Sequence, residues 1–234
     1  MPRRARIVVP GCAHHVTQRG NRRVDVFFDD EDRHYYKKVL RDQADSRRLL
    51  IWNYTLMTNH VHFIVVPQLE TSLAETFRNA HSNYSQWFNR KYNLKGHLWQ
   101  ARYYSCLLDE RHLWSAVRYV ERNPVRANIV KRAEDYKWSS AHAHAYGITD
   151  WFVDSGSPLI GAVTDWAKWL YDDDTPDKLE PIRKATARDL PLADESFVLD
   201  LEAKLGRRLR PNKRGRKAKT GPEEASQTTL AFED

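Results

Sequence analysis

Leu49 to Pro67 reads LLIWNYTLMTNHVHFIVVP. Two runs rich in β-branched and aromatic side chains meet at Thr58-Asn59, and Pro67 closes the second, so the stretch predicts a β-hairpin. His60 and His62 stand two apart in the second strand and project from one of its faces, with Val61 turned to the other. Upstream, RIVVPGCAHHVTQRG (6–20) is extended and broken at Pro10-Gly11. DDEDRHYYKKVLRDQADSRR (29–48) begins with acids and ends with bases, which complements a helix dipole. Downstream, TSLAETFRNAHSNYSQWFNRKYN (71–93) predicts a helix opened by a Ser72–Glu75 capping box, with Leu73, Phe77, Ala80, Tyr84, Trp87 and Phe88 near one face. GHLWQARYYSCLLD (96–109) predicts a fourth strand, and ERHLWSAVRYVERNP (110–124) returns to helical spacing. The order β-α-β-β-α-β plus a helix predicts an α+β fold, the ferredoxin-like split βαβ. It has a central antiparallel sheet, helices on one face, and the Leu49–Pro67 hairpin at its middle.

Composition shifts after EDYKWSSAHAHAYG (134–147). Residues 1–148 are therefore read as one domain and 149–209 as a small helical accessory module holding Trp151, Trp166 and Trp169. Residues 210–234 are a basic and then acidic tail whose composition predicts disorder. No run approaches the roughly 18 apolar residues of a membrane span. The two cysteines, Cys12 and Cys106, offer neither a disulfide framework nor a zinc cluster, so the chain is expected in a reducing cytoplasm. Nine of the 38 Lys/Arg fall between Lys204 and Lys219, a stretch without an acid, which leaves the rest near neutral against 31 Asp/Glu. The N-terminal edge is basic too. Local basic surfaces on a near-neutral body suit a polyanionic partner.

Two imidazoles on one strand face suit a divalent cation but are too few for a closed structural zinc site, which takes four ligands. An open site leaves room for a substrate oxygen, as phosphate chemistry requires. An HxH alone is often chance and gains meaning only beside a nucleophile and a third ligand. The late helix offers both. Tyr119 and Asn123 are four apart and share a helical face; Asn123 has an amide oxygen for a hard cation, and Tyr119 has a nucleophilic hydroxyl. Pro124 disfavours the α conformation at Asn123, which leaves open a second role for it as a cap before a new helix.

MTNHVHFIVVP, GHLWQARYYS, AVRYVERNPVRANIV and DYKWSS, in that order and after the opening VPGCAHHVTQRGNRR, resemble the REP-associated tyrosine transposases of the HUH endonuclease superfamily. The resemblance covers about Pro10 to Gly147. It implies a metal-dependent single-stranded DNA endonuclease and transposase that binds hairpins of repetitive extragenic palindromes, then cleaves and rejoins through a 5′-phosphotyrosine. His60 and His62 match the HUH pair, Tyr119 the catalytic tyrosine, and Asn123 the third polar ligand of magnesium or manganese. Tyr103 and Tyr104 are rival nucleophiles. Such proteins work at the nucleoid, as monomers or homodimers.

A basic groove with aromatic faces holds single strands. Arg4, Arg19, Arg22, Arg23, Trp99 and Arg102 are the candidates for this. Lys213, Arg214 and Arg216, in KRGRK, are candidates for phosphate or minor-groove contact. Two other readings compete: a rolling-circle-type HUH nickase, and a hairpin-binding regulator that has lost its chemistry.

Overall fold

The computed structural model describes residues 6–171 and 175–210; Arg4, Lys213, Arg214, Arg216 and most of the tail lie outside them. β1 (His14–Arg19), α1 (Asp30–Ser46), β2 (Leu49–Leu56), β3 (His60–Pro67), α2 (Ser72–Lys91) and β4 (Tyr104–Leu107) follow in chain order. They build a four-stranded antiparallel sheet in the order β2-β3-β1-β4, the split βαβ arrangement that the sequence predicts. The hairpin is not at the middle of the sheet as expected: of its two strands only β3 lies inside the sheet. β2 is at its edge, where DYKWSS covers it: Leu56 N–H donates to the Trp138 carbonyl at 2.8 Å, and Tyr136 Oη donates to the Leu56 carbonyl at 2.8 Å.

The capping boxes differ from expectation. Ser72 is the first residue of α2, and its hydroxyl accepts from Leu69 N–H at 3.0 Å rather than capping the helix. A reciprocal box does form at α1, where Asp29 caps Asp32 N–H and the Asp32 carboxylate accepts from Asp29 N–H. Three first-turn acids add to it through the helix dipole. Arg47 and Arg48 fall just beyond α1, and Arg48 at φ 53° ends the helix.

The alternation of β3 divides the core. Val61, Phe63 and Val65 point to one face and pack with Tyr36, Leu40, Phe77 and Tyr84 of α1 and α2. Truncating a fully buried side chain such as Phe63 to Ala costs about 3–5 kcal/mol at such a position. Ile64 and Val66 point to the other face, where α3 (Glu110–Glu121) lies, N-capped by Asp109. α4 (Asn123–Arg126) carries Pro124 in its first turn, so Asn123 opens a new helix. α5 (Ala141–Tyr146), α6 (Trp166–Tyr171), α7 (Pro176–Ala187) and α8 (Glu195–Leu205) complete the described helices. Trp166, Leu170, Ile182 and Ala185 share one core with Ile64, Val66 and Cys106, so the C-terminal segment packs on the sheet itself. No helix among the described residues is long and apolar enough to cross a membrane.

Candidate active site

Antiparallel register decides which side chains share a face with the histidine pair. Thr17 stands opposite His62, Arg19 opposite His60 and His15 opposite Ile64, while Tyr104 of β4 stands opposite Thr17. Directly paired residues project to the same side. His15, Thr17, Arg19, His60, His62 and Tyr104 therefore floor one surface. α3 and α4 roof it with Tyr119, Asn123 and Arg126, and α7 contributes Arg183 and Thr186. Together they line a cleft of about 640 Å³.

Within it the rings of His60 and His62 meet edge to face at 5.0 Å between centroids. Tyr119 lies edge-on to both His62 and His15, at 5.6 Å from each. The Arg126 guanidinium sits 4.3 Å over the Tyr119 ring and donates to the Tyr119 carbonyl. Burial, then the charge of Arg19, lowers the His60 pKa to about 4, against the opposing hydrogen bond of Asn123. Burial, then the neighbouring His60 and His15, holds His62 well below its ordinary value. Both imidazoles are neutral near pH 7, the form that ligates metals.

Hydrogen bonds fix which nitrogen of His60 is free. Asn59 donates its amide to the Arg23 carbonyl at 3.2 Å, which turns its oxygen toward His60 Nδ1 at 2.6 Å. His60 Nδ1 is thus the protonated nitrogen, and Nε2 keeps its lone pair. His62 uses Nδ1 too, 2.9 Å from His15 Nε2. The donor set fits a hard divalent cation: two imidazole Nε2 atoms, with an amide that already meets His60. A separate cluster, Asp109, His112 and Asp194, has metal-ligand spacing. The Asp109 carboxylate is engaged as a cap instead: Oδ1 accepts from His112 N–H at 2.8 Å and Oδ2 from Asp194 N–H at 2.7 Å.

Of the sequence-predicted residues, His60, His62, Tyr119, Asn123 and Arg19 meet in the cleft. Arg22, Arg23 and Arg102 are exposed near it in sequence, at the end of β1 and before β4. Trp99 is not available to stack a base. It is 9% exposed and enclosed by Tyr36, His81 and Tyr84, because a bridge to Gly20 turns this segment inward before the strand begins at Tyr104. Of the rival tyrosines, Tyr103 is buried beneath the Arg6 guanidinium, whereas Tyr104 is 41% exposed and lines the cleft. Sequence reasoning missed His15, Arg126, Arg183 and Thr186. His15 carried a usable signal, since β1 pairing beside β3 brings its face to His62.

Known proteins resemble this chain in sequence and in fold. The sequence profile of the family described as "Transposase IS200 like" matches residues 8–123, a span that contains the histidine pair, Tyr119 and Asn123. A solved REP-associated tyrosine transposase bound to a REP hairpin is 19% identical, with 75% of this chain and 96% of that one covered at a TM-score of 0.51. A candidate transposase from Deinococcus radiodurans R1 is 22% identical, with 52% of this chain and 97% of that one covered at a TM-score of 0.33. None of the curated proteins compared matches the chain. With the family profile spanning the sheet and the tyrosine helix, and the fold shared with a solved tyrosine transposase, the chain belongs to the IS200-like transposases.

Proposed function

We propose that this transposase binds hairpins of single-stranded DNA, cleaves beside them through a covalent bond to Tyr119, and uses a divalent cation held by His60, His62 and Asn123. The observation that carries the reading is the phenol of Tyr119, edge-on at 5.6 Å to His62, beside His60 in one cleft. The hairpin as partner rests on likeness of fold to the transposase solved with a REP hairpin.

The chemistry is a transfer between equal bonds. Tyr119 Oη forms a bond to phosphorus as the bond from phosphorus to the 3′ oxygen breaks. The phenolic proton is lost and the leaving oxygen takes one up, giving a 5′-phosphotyrosine and a 3′-hydroxyl. Because one phosphodiester replaces another, the 3′-hydroxyl of the same or a second strand can reverse the step and join DNA without ATP. A bound magnesium or manganese ion would supply positive charge to the scissile phosphate. Arg126, beside the Tyr119 ring, offers a guanidinium to the same developing charge. Arg19, Arg22, Arg23 and Arg102 would hold the backbone by charge, without reading bases.

Labelled hairpin DNA incubated with the protein and Mg²⁺ and run on a denaturing gel tests the reading. We expect a protein–DNA adduct that is absent with Tyr119→Phe, strongly reduced with His60→Ala and retained with Tyr104→Phe. An adduct that survives Tyr119→Phe and disappears with Tyr104→Phe would move the nucleophile to β4. Hairpin binding without any adduct would leave a regulator.

A further inference from the structure

A hydrogen-bonded chain reaches His62 on the side away from its metal-facing nitrogen and starts outside the segment shared with the family. His62 Nδ1 lies 2.9 Å from His15 Nε2, and His15 Nδ1 lies 2.9 Å from Thr186 Oγ1 on α7. Thr186 also hydrogen-bonds the Cys106 thiol, whose Sγ is 3.6 Å from the Leu107 carbonyl. All of these groups are buried.

The far end sets the polarity. A carbonyl only accepts, so the Cys106 S–H donates to Leu107 and leaves sulfur lone pairs. Thr186 O–H can then donate to Sγ, which leaves Thr186 Oγ1 to accept from His15 Nδ1–H. A neutral imidazole carries one proton, so His15 Nε2 is bare and accepts from His62 Nδ1–H. His62, also neutral, keeps the lone pair of Nε2 for the cleft. With the polarity reversed, Nε2 of His62 would carry the proton and could not ligate a cation.

We propose that His15 and Thr186 are positioning residues that hold His62 in the Nδ1-protonated tautomer with Nε2 presented to the metal, so that α7 is part of the metal site. The proposal rests on the reading of His60 and His62 as ligands. Outer partners of metal-ligating histidines commonly govern affinity in this way. Thr186 lies 171 positions from His15 and beyond the family match, which ends at residue 123.

Two measurements on the full chain test it. In long-range ¹H–¹⁵N spectra of the metal-free wild type, His15 and His62 should both show the Nδ1–H tautomer; Nε2–H at either overturns the proposal, with no variant required. In Mn²⁺ titrations followed by electron paramagnetic resonance without DNA, Thr186→Val should weaken binding by about tenfold or more, in the 10–100-fold range of lost outer partners. Thr186→Ser, which keeps the hydroxyl, should restore binding. A folded Thr186→Val protein with wild-type Mn²⁺ affinity overturns the relay while leaving His60 and His62 as ligands. A wild type that takes up no Mn²⁺ overturns both.

Discussion

Removing the carboxylate of Glu121 should loosen the helix that carries Tyr119, and the structure allows the cost to be ranked. Glu121 is fully buried two residues beyond the tyrosine. Its Oε1 accepts from Asn53 Nδ2 at 2.8 Å, Ser140 Oγ at 2.7 Å and His144 Nδ1 at 2.7 Å, and its Oε2 from Trp166 Nε1 at 2.6 Å. One acceptor group thereby ties α3 to β2, α5 and α6. Glu121→Ala leaves four donors without it. At about 1–3 kcal/mol per orphaned donor the naive sum overshoots, because water and side-chain relaxation recover part of it. Loss of a buried, multiply bonded charge is better bounded at about 3–5 kcal/mol. Glu121→Gln should cost less, about 1–3 kcal/mol, because its carbonyl can keep the three bonds of Oε1 while its NH₂ faces only the indole N–H. Trp166→Phe removes that opposing donor, so the two substitutions should combine to less than their sum. Urea unfolding of the four proteins closes the cycle. A Glu121→Ala cost below about 1 kcal/mol, or strict additivity of Glu121→Gln with Trp166→Phe, would refute the reasoning.

Other outcomes follow from the same geometry. Because Tyr119 and His62 meet within one chain, an equimolar mixture of Tyr119→Phe and His60→Ala should stay as inactive as either alone in the adduct assay; recovery would mean that a partner chain supplies the tyrosine. Burial lowers the pKa of His14 to about 4 and of His81 to about 3. The unfolded chain binds these two protons near pH 6.5 and the native one does not, so stability is complete above that pH and falls as pH drops toward 4. Each should contribute about 2 kcal/mol of loss at pH 5, read as a lower urea midpoint than at pH 7.5; an unchanged midpoint would contradict the burial. Trp99→Ala should act on stability, by about 3–5 kcal/mol, rather than on DNA affinity alone. Arg22→Ala and Arg23→Ala should leave stability intact and each lower the salt slope of hairpin binding by about one; a slope unchanged in both would remove them from the interface.

The sheet was legible because alternation is local: Val61, Phe63 and Val65 interleave with His62 and Ile64, and a period of two is visible in eight residues. Tyr119 and Asn123 were legible for a similar reason, a four-residue spacing, although Pro124 places Asn123 at the start of α4 instead of inside α3. Trp99 misled because aromatic, extended sequence continues for several residues ahead of the ladder, which pairs only at Tyr104–Leu107. The α1 box escaped notice because Asp at both ends replaces the Ser/Thr-x-x-Glu pattern. His15 is one of ten histidines, and only strand register singles it out. Thr186 had no signal at all: no periodicity links residues so far apart, and its place is decided by how α7 docks on β4 and β1.

The division of labour along β3 has an evolutionary consequence. One set of its side chains fills the aromatic interior, and the alternate set gives His60 and His62 to the cleft and Ile64 and Val66 to the core under α3, so a single-residue indel inside His60–Pro67 would exchange the faces of every residue on one side of it. An insertion just after His62 that left the imidazoles in place would turn Phe63 and Val65 outward and Ile64 into the interior, and the protein would lose the packing of both faces in one event. Descendants of this chain can vary in length at its loops, but this strand should keep its residue count.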